Sequence, residues 1–145
     1  MHKVQRSVLV PHSAEQMFNL VADVEQYPAF MPWCGGSEVI SRNEQGMEAA
    51  VTISLAGIKQ RFATRNTHHF PERIDLELVD GPFSALVGRW VFHALDAKAC
   101  KIVFTLEYAF SSRTLEALVG PIFNRIASSF IDSFIKRAGE LYGNA

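Results

Sequence analysis

Between Gly35 and Phe110 the chain alternates apolar and polar residues with a period of two, and turn residues break the pattern about every ten positions. The longest alternation is Met47, Ala49, Val51, Ile53 and Leu55. Ile74, Leu76 and Leu78 alternate against Asp75 and Glu77. Leu86, Gly88, Trp90 and Phe92 share a face in the next run, and Ile102, Phe104, Leu106, Tyr108 and Phe110 share one in the last. Ser37 to Arg42 and Lys59 to His69 read as further strands. The turns fall at Asn43 to Gly46, Ala56-Gly57, Pro71-Glu72 and Asp80-Gly81-Pro82. These links are too short for crossover helices, so the pattern predicts an antiparallel meander and excludes a parallel βαβ sheet. A sheet of this kind has one apolar face, and that face must be covered.

Residues 111–143 supply the cover. Leu115, Leu118, Val119, Ile122, Phe123, Ile126, Phe130, Phe134, Ala138 and Leu141 recur at three and four, the spacing of an amphipathic helix. Ser111 or Ser112 can cap it, Glu116 suits its first turns, and Gly143 is a suitable stop. Gly120-Pro121 predicts a bend or break near its start. Before the meander, residues 3–10 read as a strand with Val4, Arg6, Val8 and Val10 on one face and Leu9 on the other; Pro11 ends it. Ser13 and Gln16 form a capping box for a short helix carrying Met17, Phe18, Leu20 and Val21. Asp23 is placed to cap a second one, running through Val24 and Tyr27 toward Phe30 and limited by Pro28 and Pro32.

The expected fold is therefore α+β, one domain over 1–145, in the order β-α-α-β-β-β-β-β-β-α. A seven-stranded curved antiparallel sheet grips a long C-terminal helix, and an apolar cavity is left between them. The apolar phases assign its lining to Val51, Ile53, Leu76, Trp90, Phe104, Leu106, Phe123, Ile126 and Phe130. Tyr27, Phe30, Pro32 and Trp33 are read as a gate over the mouth.

Composition narrows the partners. A net charge of −1 gives no general attraction to nucleic acid, and DNA is not expected as a partner. The basic segment Lys59, Arg61 and Arg65 is small and reads as a solvated sheet face. Cys34 and Cys100 lie far apart and read as reduced thiols of a cytoplasmic protein. No Cys or His spacing offers a metal ligand set, so no metal and no covalent cofactor is expected. His68 and His69 point to opposite faces of a strand and read as a solvated pair, and His93 as a hydrogen-bonded structural histidine. Asp75 and Glu77 read as outer-face residues and not as paired catalytic carboxylates. No nucleophile-elbow, metalloprotease or phosphate-loop motif is present, and no catalytic residue is assigned. The apolar runs are too short for a signal-peptide core or a membrane span.

Val24, Tyr27, Pro28, Phe30, Pro32, Trp33 and Cys34 reproduce a Val-x-x-Tyr-Pro-x-Phe-x-Pro-Trp-Cys pattern. With Gly88-Arg89-Trp90-x-Phe92, Phe110 to Arg113 and Val119 to Phe123, the chain resembles the coenzyme Q-binding START family of the SRPBCC helix-grip superfamily. The resemblance implies non-catalytic binding of a prenylated ligand, with ubiquinone as the occupant. It also implies support of respiratory electron transport and peripheral contact with the inner membrane. The alternative it carries is a RatA-like toxin that binds a ribosomal subunit and blocks subunit association. A polyketide cyclase-like enzyme is the third reading.

Overall fold

The computed structural model describes residues 1–143. Strand β1 (His2–Val10) leads into helix α1 (Ala14–Ala22), a 3₁₀ turn (Val24–Gln26) and the single-turn helix α2 (Tyr27–Phe30). Six strands follow: β2 (Cys34–Asn43), β3 (Gly46–Leu55), β4 (Ile58–His69), β5 (Arg73–Asp80), β6 (Phe83–Asp96) and β7 (Ala99–Phe110). Helix α3 (Arg113–Tyr142) follows. The strands form one antiparallel sheet in the order β1-β7-β6-β5-β4-β3-β2. This is the expected helix-grip architecture.

The first turns form for the reasons the sequence gives. Ser13 Oγ accepts from the Gln16 N–H at 3.1 Å, and Gln16 Oε1 accepts from the Ser13 N–H at 3.0 Å, so the capping box is complete. Ser112 Oγ caps α3 by accepting from the Leu115 N–H at 3.1 Å. Asp23 makes no side-chain cap. Its ψ of 67° lies outside the extended region from which a capping carboxylate reaches the next N–H groups. Asn43 Oδ1 instead builds the β2–β3 turn, accepting from the N–H groups of Gln45 at 2.8 Å and Gly46 at 3.1 Å. Only glycine fits at Gly46: φ is +154°, and a Cβ there would lie 1.9 Å from the Asn66 carbonyl oxygen.

Helix α3 runs unbroken through Pro121, so the expected break does not occur. The proline frees the Ala117 carbonyl, but Ala117 is exposed and water can satisfy it. Burial of Val119, Gly120 and Phe123 on either side holds the turn down. The buried stripe continues through Ile126, Ala127, Ile131, Phe134 and Ala138. Leu118 and Leu141, expected on that stripe, are exposed. Arg6 fastens the edge of the sheet to the helix. It projects from the inner face of β1, pairs with both oxygens of Asp132 at 2.9 and 3.2 Å, and donates to the Ser128 carbonyl at 2.7 Å.

Candidate functional site

Sheet and helix do not fill the space between them. A narrow slot of about 80 Å³ lies against the inner face from β3 to β7. That is well below the span of drug-sized sites, about 300–1,000 Å³, so only a slender guest fits without movement of the wall. Its roof is α1, the Tyr27 turn and α3. Helix α1 supplies Val21 and Ala22, the 3₁₀ turn Val24, and α3 Phe123, Phe130 and Phe134. The floor is mainly apolar: Ala49 and Val51 on β3, Ile74 and Leu76 on β5, Leu86 and Trp90 on β6, Phe104 and Leu106 on β7.

Of the residues assigned to the lining from sequence, Val51, Leu76, Trp90, Phe104, Leu106, Phe123 and Phe130 lie on the wall. Ile53 and Ile126 do not. Both are almost fully buried, packed into solid core beyond the slot. They have the correct apolar phase, but the phase of a strand or helix cannot tell filled core from empty space. The four gate residues divide. Tyr27 and Trp33 line the slot. Phe30 and Pro32 border a separate surface groove with Ser133, Lys136 and Arg137, where the Arg137 guanidinium lies 5.3 Å from the Phe30 ring centre. Tyr27 is anchored, since its hydroxyl donates to the Val21 carbonyl and burial raises its pKa.

The sequence reading found the fourth strand but assigned none of its residues to the lining. Phe62, Thr64, Asn66 and His68 are spaced two apart on the inner face of β4, and all four face the slot. Phe62 sets this phase, because it pairs with Val51 across β3–β4. Thr64 and Asn66 are 9% and 8% exposed, unusual burial for polar side chains on a sheet face. The Thr64 hydroxyl donates to Asn66 Oδ1 at 2.6 Å. His68 is not a solvated residue. Its Nε2 is buried without a partner, and burial first, then the positive charges of Arg42 and His69, lower its pKa. Its ring meets Phe18 edge to face at 5.5 Å. His69 points outward, 3.6 Å from Asp75. The Trp33 indole N–H is likewise buried without a partner.

His93 is exposed. Cys34 and Cys100 are both buried free thiols. Burial raises both pKa values, that of Cys100 to about 11, so neither is a ready thiolate. Among the described residues no cluster of three His, Cys, Asp or Glu side chains could hold a metal. No helix there is long and apolar enough to cross a membrane.

The outer face is a lattice of exposed ion pairs. Asp75 accepts from Arg89 at 2.7 Å and Arg73 at 3.1 Å. Arg65 meets Glu48 at 2.7 Å and Glu77 at 3.6 Å, and Arg61 lies 3.8 Å from Glu38. Arg61 and Arg65 of the basic strand segment are therefore already paired with acidic neighbours, while Lys59 is exposed and has none among the described residues.

Residues 10–135 match the family model described as polyketide cyclase / dehydrase and lipid transport. The chain is 47% identical over 143 residues to the ribosome association toxin RatA of Vibrio cholerae, covering 99% of both sequences. It is 27% identical over 141 residues to the mitochondrial coenzyme Q-binding protein COQ10 homolog B of Xenopus laevis, covering 94% of this chain and 58% of that one. Among solved structures, the Zhui aromatase/cyclase from Streptomyces sp. R1128 superposes with a TM-score of 0.84 at 15% identity, covering 99% of both chains. At that identity the likeness concerns the fold alone.

Proposed function

The chain belongs to the polyketide cyclase / dehydrase and lipid transport family, in the group of the ribosome association toxins RatA, and from that premise we propose that it acts on ribosome association, binding one subunit and opposing its joining to the other. The observation that carries this reading is the 47% identity spread over 99% of both chains. A shared fold alone would say little about function. The test is a sucrose-gradient profile of purified subunits joined in the presence of rising amounts of the protein. Joined ribosomes should fall and free subunits rise. A profile unchanged at a large molar excess would overturn the reading.

Binding, not catalysis, is the mode of action in this proposal. General acid–base chemistry needs paired groups with pKa values pushed apart. The slot offers a single histidine, with no carboxylate on its wall. No metal or covalent cofactor is invoked.

The second reading is that the slot holds a hydrophobic molecule, with ubiquinone or a similar prenylated lipid as the occupant. Such cargo would support respiratory electron transport and bring the protein into peripheral contact with a membrane. It is favoured by the character of the wall, where aromatic and aliphatic side chains surround the slot. Burial contributes about 0.8 kcal/mol per CH₂, so an isoprenoid tail needs few polar contacts there. Organic extraction of the purified protein, followed by mass spectrometry, should release a stoichiometric prenylated lipid. Leu76→Phe, which puts a ring into the slot, should abolish that recovery while the fold persists. Equal recovery from both proteins would overturn this reading.

A further inference from the structure

We propose that the buried face of β4 is a head-group reader: Asn66, supported by Thr64, and His68 select an uncharged, oxygen-bearing head on an otherwise apolar guest and reject anionic heads. This rests on the second reading above, that the slot takes a hydrophobic molecule, and specifies the chemistry of its polar end.

The argument begins with cost. An amide or hydroxyl buried without full hydrogen bonding loses about 1–3 kcal/mol. The inner faces of β3, β5, β6 and β7 avoid that loss by presenting apolar residues to the slot. Strand β4 places three polar side chains in a row there. Thr64 engages one end of the Asn66 amide, which leaves the other end for a guest. His68 adds a buried, unpartnered ring nitrogen two residues along the same face. An amide and a neutral imidazole both donate and accept, so together they fit carbonyl, ether or hydroxyl oxygens.

The same wall argues against an anion. No Lys, Arg, Asp or Glu lines the slot. Arg42, whose charge reaches His68 from outside the wall, is already paired with Glu25. A carboxylate or phosphate placed there would be desolvated without a counter-charge in contact, which costs several kcal/mol. The direction of insertion follows. At the Phe62 end the strand meets Phe83 and Phe123, with ring centres 5.6 and 5.9 Å away. At the His68 end it meets Phe18 and the α1 roof. The tail runs toward Phe62 and Phe123, and the head lies between Asn66 and His68.

The test uses three probes with one alkyl tail: the methyl ketone, the plain hydrocarbon and the carboxylate. Each is titrated against the full chain, read by fluorescence of Trp33 and Trp90 on the slot wall and by native mass spectrometry. The ketone should bind about tenfold more tightly than the hydrocarbon, as expected for one or two added hydrogen bonds. The carboxylate should bind most weakly. In Asn66→Leu with His68→Leu, the ketone should fall to the level of the hydrocarbon while the hydrocarbon is retained. Wild-type preference alone already tests the idea should that variant not fold. Equal binding of all three probes, or a preference that survives the double substitution, overturns the head-group reader and leaves the slot reading intact. Failure of every probe to bind overturns the slot reading and this inference with it.

Discussion

The two faces of β4 are both polar, and they are polar for opposite reasons. Outward, Lys59, Arg61, Arg65 and His69 stand in solvent, and Arg61, Arg65 and His69 meet acidic neighbours on β2, β3 and β5. Inward, Thr64, Asn66 and His68 are uncharged or held near neutrality and sit within an apolar wall. Exposed ion pairs exchange hydration for Coulomb attraction at almost no net gain. Buried polar groups have no water to return to, so each has to be matched or left at a loss. Polarity on a strand is thus cheap on one side and informative on the other. Residue identity alone does not say which side is which.

The largest effect should come from the apolar end of the inner wall. Phe123 packs against Phe62, Phe83, Tyr108 and Phe110. Phe123→Ala should lower unfolding stability by about 3–5 kcal/mol in chemical denaturation. A loss below about 1 kcal/mol would mean that this end collapses freely and is not the rigid wall described here.

Next come the inward polar groups. Thr64→Val removes the donor to Asn66 Oδ1 and leaves that acceptor buried, which should cost about 1–3 kcal/mol. Adding Asn66→Leu removes the orphan, and the double variant should recover most of the loss. Additive losses in the double-mutant cycle would break the contrast between the faces. His68 gives a pH signature. Its folded pKa lies below its ordinary value of 6.5, so the unfolded chain takes up a proton first as pH falls. The stability from neutral His68 is present in full above about 6.5 and is lost as pH falls from there through its folded pKa. The denaturation midpoint of His68→Leu should therefore decline less than wild type over that window. Parallel curves would place His68 in solvent.

Most of the fold was legible because local chemistry dictates it. Period-two alternation gave the strands of the meander, and Ser13 with Gln16 gave the first helix. The lining followed the same phases, which is why Val51, Leu76, Trp90 and Phe104 lie on the wall. Ile53 and Ile126 share those phases but face filled core, because volume is a property of the whole assembly and not of one element's period. Strand β4 was read by charge when its phase was the signal. Phe62 marks the inward face, and counting by two from it reaches Thr64, Asn66 and His68. The adjacent histidines hid this, since exposure is the commoner state for each and only one of them has it.

The smallest effect should come from reversing the outer charges, Arg61→Glu with Arg65→Glu. Read from sequence, this basic segment is small and reads as a solvated sheet face. In the structure Glu38, Glu48 and Glu77 already surround it, so little positive potential is left to project. Lys59, Lys98, Lys101, Arg113, Arg125 and Lys136 are exposed and have no acidic partner among the described residues. They, not the β4 pair, are the cations free to release counterions on phosphate contact. The double reversal should leave the denaturation midpoint and ligand recovery within experimental error. It should also leave the salt dependence of any ribosomal binding unchanged, whereas Lys98→Glu with Lys101→Glu should reduce that slope if their strand end forms the contact. Lost ligand after the β4 reversal would couple the two faces through the strand and remove the distinction between them. A reduced salt slope from the β4 reversal would instead assign the ribosomal contact to the outer face of this strand.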